Sequence, residues 1–270
     1  MGSIPYALDP YRPGDSLLHR LDVRIKLSLT LLFILVSALL PVAAWPAYIL
    51  MMALVWSWSL LSSLGIGFVL KRSLLAVPFV LAALPLPFTF PGEVVWPVNL
   101  LGIHFSIGLA GLERLLTIGL KSWLSVQAAV LLAATTRLPD LLLALRALRV
   151  PRLLVTVIGL MWRYMFLLVE EASRLLRARQ ARSGAAAESE GKLGGSLTWR
   201  ARVAGGMAGG LFLRSIERSE RVYAAMLARG YDGTQRSLPQ PPVSRRDWLV
   251  LLTGSLVLLG ILLLSLLFGG

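Results

Sequence analysis

Two arginines stand where a side chain could do recognition chemistry. Arg182 lies in Gln180-Ala181-Arg182-Ser183, and Arg229 lies in Leu227-Ala228-Arg229-Gly230. Each closes a helix-like run and is flanked by small residues. A guanidinium in such a place presents a rigid fork of donors. It can enter a groove on another protein and pair with a carboxylate or with backbone carbonyls. Ala181, Ser183, Ala228 and Gly230 leave room for that close approach. One end of this kind reads as an ordinary helix stop with a solvated arginine. With two in one segment, the docking reading and the plain one stand level.

Other chemistries find no support in the residues. Gly184 to Lys192 ends in Gly191-Lys192, but the spacing is too long for a P-loop and Leu193 replaces the required Ser or Thr. The expectation is therefore that this chain does not hydrolyse ATP. No nucleophile–base–acid set, HExxH or paired-carboxylate arrangement is present. Cysteine is absent and the two histidines, His19 and His104, are far apart, which argues against a metal site. Asp9, Asp15 and Asp22 lie in a turn-rich segment, where Ser16 and Asp22 read as helix caps.

The elements that must position the arginines are those of a membrane protein. The chain is 56% hydrophobic and only 15% charged over 270 residues, with a mean hydropathy of +0.73. A soluble domain carries about 25% charged residues. The net charge of +13 would signal nucleic acid in a soluble protein. Here it reads as the basic excess on the cytoplasmic side of a multi-pass membrane protein, with no nucleic-acid partner. The N-terminus does not read as a cleavable signal, because about 26 mostly polar residues precede the first apolar run.

Spans are expected at Leu27–Ala43 and Pro46–Leu64, forming a tight helical hairpin. A third is expected at Leu74–Phe90, broken by Pro78, Pro85 and Pro87. Pro91–His104 reads as an outside loop, and Phe105–Thr135 as a long helix. Glu113, Arg114 and Lys121 of that helix should face the bundle interior or the interfaces. The last span is Trp248–Phe268. Leu153–Val169 is apolar enough to cross, apart from Arg163. A crossing there would place the arginines at 137–152 and those at 174–246 on opposite sides, against the positive-inside rule. An interfacial or re-entrant segment keeps all of them cytoplasmic.

The fold class is thus an all-α integral membrane protein, with about five transmembrane helices and long amphipathic cytoplasmic helices. Residues 1–26 form a cytoplasmic N-terminal segment and 27–135 a four-helix transmembrane region. Residues 136–245 are cytoplasmic or interfacial, and 246–270 hold the C-terminal span. Two helices occupy the third region, Pro151–Arg182 and Leu197–Arg229, separated by a flexible linker at Ser183–Ser196. On the second helix Val203, Met207 and Leu211 recur at i+4, and Phe212, Ile216, Tyr223, Met226 and Leu227 extend the apolar side. Glu170–Arg174 and Glu217–Arg221 are spaced for i,i+4 pairs. Gly205-Gly206 and Gly209-Gly210 permit another helix to cross closely. Gly230 sits where a C-cap glycine belongs.

Several stretches resemble a known family. Tyr11-Arg-Pro-Gly-Asp-Ser-Leu-Leu-His-Arg-Leu-Asp-Val-Arg-Ile-Lys-Leu27 resembles the N-terminal signature of the transmembrane T component of energy-coupling factor (ECF) transporters, the EcfT/CbiQ family. Thr135-Thr-Arg-Leu-Pro-Asp140, Leu145–Pro151, Arg163-Tyr164 and Glu170-Glu171 through Arg182 resemble its central region. Phe212–Gly233 resembles its second coupling segment, and the second half is most similar to the cobalt-transport branch. The chain departs from the pattern at Val23, where the family usually has proline, and at Ser183, where it has glycine.

The resemblance implies a non-catalytic subunit of the bacterial or archaeal cell membrane, its N-terminus and coupling helices cytoplasmic. Its implied partners are two ABC ATPases, which bind the ATP and magnesium, and a membrane substrate-binding S component; the chain itself holds no cofactor. Arg182 and Arg229, supported by Ala181, Ser183, Ala228 and Gly230, would each dock into one ATPase. The cargo would be a vitamin or a cobalt or nickel ion. The rival from another class is a membrane scaffold or enzyme whose basic loop binds anionic lipid.

Overall fold

The computed structural model describes residues 10–42, 44–89, 94–100, 103–182, 196–233 and 242–268. Its architecture is helical, with one short antiparallel hairpin. In chain order the elements are α1 (Leu17–Arg20), α2 (Val23–Leu39), α3 (Trp45–Leu61), α4 (Ile66–Ser73), a 3₁₀ turn (Leu74–Ala76), α5 (Val77–Ala83) and α6 (Leu86–Thr89). There follow β1 (Val94–Leu100), β2 (Ile103–Gly108), α7 (Leu109–Thr135), α8 (Leu138–Ala147), α9 (Arg152–Arg182), α10 (Leu197–Ala228) and α11 (Arg245–Phe268). Two compact units result. One holds α1 to α8 with α11, and the other holds α9 and α10.

Among the described residues, four helical stretches are long and apolar enough to cross a membrane: Ile66–Ala83, Leu109–Thr135, Arg152–Ala181 and Arg245–Leu267; Trp45–Leu61 is apolar but shorter. In the first unit the core lies among α2, α3, α7 and α11. Phe33, Met51, Val55, Leu124 and Leu258 are fully enclosed there. Leucines on the outside, such as Leu35, Leu39, Leu256 and Leu263, are exposed. An apolar exterior around an interlocked interior is what a lipid solvent demands, since van der Waals packing rather than water exclusion then holds helices together.

The expected tight hairpin of the first two spans does not form as such. Helices α2 and α3 pack chiefly against α7 and α11 rather than backbone to backbone. They meet through large side chains, with the Phe33 and Trp58 rings 5.8 Å apart and the Tyr48 hydroxyl donating to the Pro41 carbonyl. Bulky rings hold the two axes apart, and later helices fill the space on either side.

Two lysines tie α2 to the antiparallel α7. Lys26 of α2 is buried, and its Nζ donates to the Thr135 carbonyl at the end of α7 (3.3 Å). Lys121 of α7 donates to the Ala38 and Leu40 carbonyls at the end of α2 (3.0 and 2.6 Å). Each helix thus sends a cation to the other's C-terminus, where carbonyls lack intrahelical partners and the dipole is negative. Lys121 does lie at an interhelical interface, as expected. Glu113 is half-buried and Arg114 exposed near the start of α7.

The third span begins earlier than the apolar run implied, because Lys71 and Arg72 lie within α4 and are exposed. Pro78 occupies the start of α5, directly after the 3₁₀ turn, where its missing N–H removes no intrahelical bond. Gly111 of α7 lets the chain approach Pro87; a Cβ there would fall 2.6 Å from the Pro87 Cα. The expected loop at 91–104 contains β1, which pairs antiparallel with β2 from Leu100↔Ile103 outward. α7 accordingly starts at Leu109 rather than Phe105. The β-branched and aromatic residues around Val94-Val95-Trp96 and Ile103-His104-Phe105 favour a strand over a helix.

The N-terminal signature is a small hydrogen-bonded knot. Ser16 and Asp22 are the caps expected of them, accepting from the His19 and Arg24 N–H groups. His19 Nε2 meets the Arg12 carbonyl at 3.0 Å, and Nδ1 meets the Ser16 hydroxyl at 2.6 Å. A carbonyl can only accept, so in the neutral ring Nε2 carries the proton and Nδ1 receives the hydroxyl's. The Arg12 N–H donates to the Ala134 carbonyl at 2.9 Å. At Gly14 a Cβ would stand 3.0 Å from the His19 ring, so a larger residue there would press on the ring. The signature stretches 11–27 and 135–140, far apart in sequence, therefore meet at one end of α7.

Candidate functional site: the crossed helices α9 and α10

Both helices appear within a residue of the expected bounds. Ser196 caps α10, accepting from the Trp199 N–H. At the other end the chain closes as a Schellman motif. The Gly230 N–H donates to Leu227 and the Tyr231 N–H reaches back to Met226. Gly230 has φ +76, a conformation that a Cβ disfavours, so glycine is needed here. Arg229 is the capping residue, at φ −92 and ψ 10. Its side chain is exposed and makes no ion pair among the described residues. Arg182 is the last residue of α9, behind the exposed Ala181. The Arg182 side chain, Ser183 and the linker at 183–195 lie outside the described residues.

The two helices run antiparallel. The Arg179 guanidinium near the end of α9 lies 5.8 Å from the Trp199 ring near the start of α10. In the middle, Glu171 receives Arg214 on one oxygen (3.3 Å) and Arg218 on the other (3.1 Å). Toward the opposite end, Leu153, Leu160, Tyr223, Met226 and Tyr231 line an apolar cavity of about 470 Å³. Arg182 and Arg229 consequently terminate opposite ends of the pair. α10 alone, at 32 residues, is roughly 48 Å long.

The expected pairs Glu170–Arg174 and Glu217–Arg221 are not formed among the described residues. Glu171 forms the cross-helix pairs instead, because its side chain is largely enclosed while the arginines reaching it are 59% and 31% exposed. A carboxylate with little access to water gains more from two charge-assisted donors than exposed i,i+4 partners gain from each other. Spacing along one helix gave no sign of this. The i,i+4 separation of Arg214 and Arg218 opposite an acidic residue was the available clue.

Arg163 also has a place. With Leu160, Tyr164, Val222, Met226 and Arg229 it lines a cleft of about 350 Å³. Two guanidiniums therefore border one cleft at the α10 end. Val203, Met207 and Leu211 are half-buried as a stripe, whereas Phe212, Ile216, Tyr223 and Leu227 are exposed. The glycine face is bare: a Cβ at Gly205, Gly206, Gly209 or Gly210 would find no atom within 4 Å beyond its own turn of helix. Among the described residues no three His, Asp or Glu side chains converge as metal ligands.

Comparison with known proteins adds the family context. A family model described as a cobalt transport protein, CbiQ, matches residues 14–240. The energy-coupling factor transporter transmembrane protein EcfT of Lacticaseibacillus paracasei is 30% identical over 265 residues, covering 95% of this chain and 97% of that one. The cobalt transport protein CbiQ of Rhodobacter capsulatus is 28% identical over 163 residues, 60% of this chain and 63% of that one. An uncharacterized protein of Methanocaldococcus jannaschii is 29% identical over 260 residues, 95% and 85% of the two chains.

Proposed function

Because the chain belongs to the CbiQ cobalt transport protein family, we propose that it is the transmembrane coupling subunit of an ECF-type importer. In this role it is non-catalytic. It passes the ATP-driven motion of two cytoplasmic ATPases to a membrane subunit that binds the cargo, a vitamin or a cobalt or nickel ion. The N-terminus and the α9–α10 pair face the cytoplasm, with ATP and magnesium held by the ATPases.

The observation that carries this reading is the antiparallel crossing of α9 and α10. It sends Arg182 to one end and Arg229 to the other, so each serves a different ATPase. The Schellman closure at Gly230 holds the backbone of Arg229 in one conformation, so its guanidinium docks with less ordering entropy. The exposed aromatic and glycine faces of α10 supply apolar surface for the membrane partner, and Glu171 holds the crossing point.

Co-purification tests it. Arg182→Ala and Arg229→Ala should each remove most ATPase binding and uptake, whereas Arg200→Ala and Arg202→Ala should leave both near wild type. Equal losses at all four positions would overturn the coupling reading and favour a basic surface that only attracts anionic lipid.

A further inference from the structure

A second cluster of cations lies in the unit that holds α1 to α8, far in sequence from the proposed coupling arginines. The Phe68 ring of α4 carries two guanidiniums, Arg12 at 4.1 Å and Arg72 at 5.1 Å from its centroid. Beside them, Arg137 lies 5.0 Å from the ring of Tyr11, the residue before Arg12. All three arginines are exposed. None is ion-paired among the described residues, where Glu171 is the carboxylate that takes part in ion pairs. Stacking holds like charges together that would otherwise separate, and a planar guanidinium keeps its donor edge free while its face rests on a ring. Arg12 is further fixed through its backbone, by the Ala134 carbonyl and the His19 ring.

We propose that Arg12, Arg72 and Arg137 form a binding site for the headgroup of an anionic phospholipid. The surroundings fit a ligand with a charged head and apolar tails. Leu70, Leu74 and Leu75, directly along the chain from Arg72, are exposed. They belong to Ile66–Ala83, which is long and apolar enough to cross the bilayer. A phosphodiester at the guanidiniums therefore places its acyl chains along these leucines. The site is remote in sequence from Arg182 and Arg229, and it does not depend on the coupling reading.

The test is lipid binding by the purified full chain in neutral detergent, read by native mass spectrometry. Dioleoylphosphatidylglycerol is titrated against dioleoylphosphatidylcholine. With roughly a five-fold effect for each basic residue near anionic lipid, the Arg12→Gln/Arg72→Gln pair should weaken phosphatidylglycerol binding by roughly 25-fold. Phosphatidylcholine binding should be unchanged, and the control pair Arg245→Gln/Arg246→Gln should lose far less. Should the Gln pair fail to fold, Arg12→Lys/Arg72→Lys keeps the charge but not the planar stack, and phosphatidylglycerol affinity must still fall several-fold. The proposal is overturned by equal binding of the two lipids to wild type. Equal losses in the test and control pairs, or no loss in the Lys pair, would overturn it too. So would displacement of phosphatidylglycerol by millimolar inorganic phosphate, which would mark a free-anion site.

Discussion

The bare glycine face of α10 allows a prediction in which two effects of one substitution have opposite signs. The perturbation is Gly205→Ala with Gly209→Ala, and separately Gly206→Ala with Gly210→Ala. In the isolated chain each new methyl meets nothing within 4 Å, so only helix propensity acts. Alanine is favoured over glycine in an exposed helix interior by about 0.8–1.0 kcal/mol. Each pair should therefore stabilise α10 by close to 2 kcal/mol, read by thermal loss of helical circular dichroism in detergent. In the assembled transporter the same methyls stand where another helix is proposed to cross. A helix pushed out by 0.5–1 Å loses a quarter to a half of each contact well, and overpacking costs about 1–3 kcal/mol. The pair on the crossing face should then lower the yield of complex, recovered by affinity capture of the ATPases, while raising the stability of the free chain. If both pairs stabilise the chain and both leave complex yield and uptake at wild-type levels, α10 is not crossed at its glycines and that part of the coupling model is wrong.

Other substitutions test the frame and the site. Gly111→Ala should lower the thermal midpoint despite better helix propensity, because its Cβ meets the Pro87 Cα at 2.6 Å and the Leu86 carbonyl at 2.8 Å; Gly119→Ala, 3.7 Å from a Val80 methyl, should be neutral or stabilising. Lys121→Met strips the Ala38 and Leu40 carbonyls of their donor and should cost about 1–3 kcal/mol in unfolding experiments. Gly230→Ala at φ +76 should cost about 1 kcal/mol of α10 stability and weaken ATPase capture by loosening Arg229. Arg163→Ala, which removes the second cation of the Arg229 cleft, should reduce ATPase capture in the same direction as Arg229→Ala.

Much of this architecture was legible in the chain because local rules decide it. The caps Ser16 and Asp22, the helix bounds near 152–182 and 197–228, and the glycine at the end of α10 all follow from side-chain chemistry within one turn. What was not legible depends on partners distant in sequence. Lys26 reads as a charge at the edge of an apolar run, and its bonds to the His19 and Thr135 carbonyls explain how it can be buried. The helix of the third span starts before the apolar run at Leu74, because the charged Lys71 and Arg72 lie within α4. Stacking on Phe68 lets Arg72 ride on the helix itself. The hairpin of β1 and β2 was hidden because Pro97 and Asn99 in one strand and His104 and Ser106 in the other break the apolar pattern and read as loop residues.

Glu171 shows most clearly what spacing alone cannot supply, and its position bears on how coupling could work. Sequence pattern offered Glu170 and Glu217 as the partners of arginine, each within its own helix. The crossing selects Glu171, because it is the acidic side chain that α10 encloses. From Glu171 to Arg182 is eleven residues, and from the midpoint of Arg214 and Arg218 to Arg229 is thirteen. At 1.5 Å per residue these arms are roughly 17 and 20 Å. In the proposed coupling, two ATPases pushing on the two arginines act on nearly equal levers about one charged pivot. Equal displacements at the ends then scissor the pair without dragging its centre. Glu171→Gln keeps the size of the pivot while removing its charge. It should leave both arginines able to bind their ATPases, yet reduce uptake for each ATP hydrolysed. If uptake and hydrolysis fall together, Glu171 serves only to fold the pair, and the pivot is elsewhere.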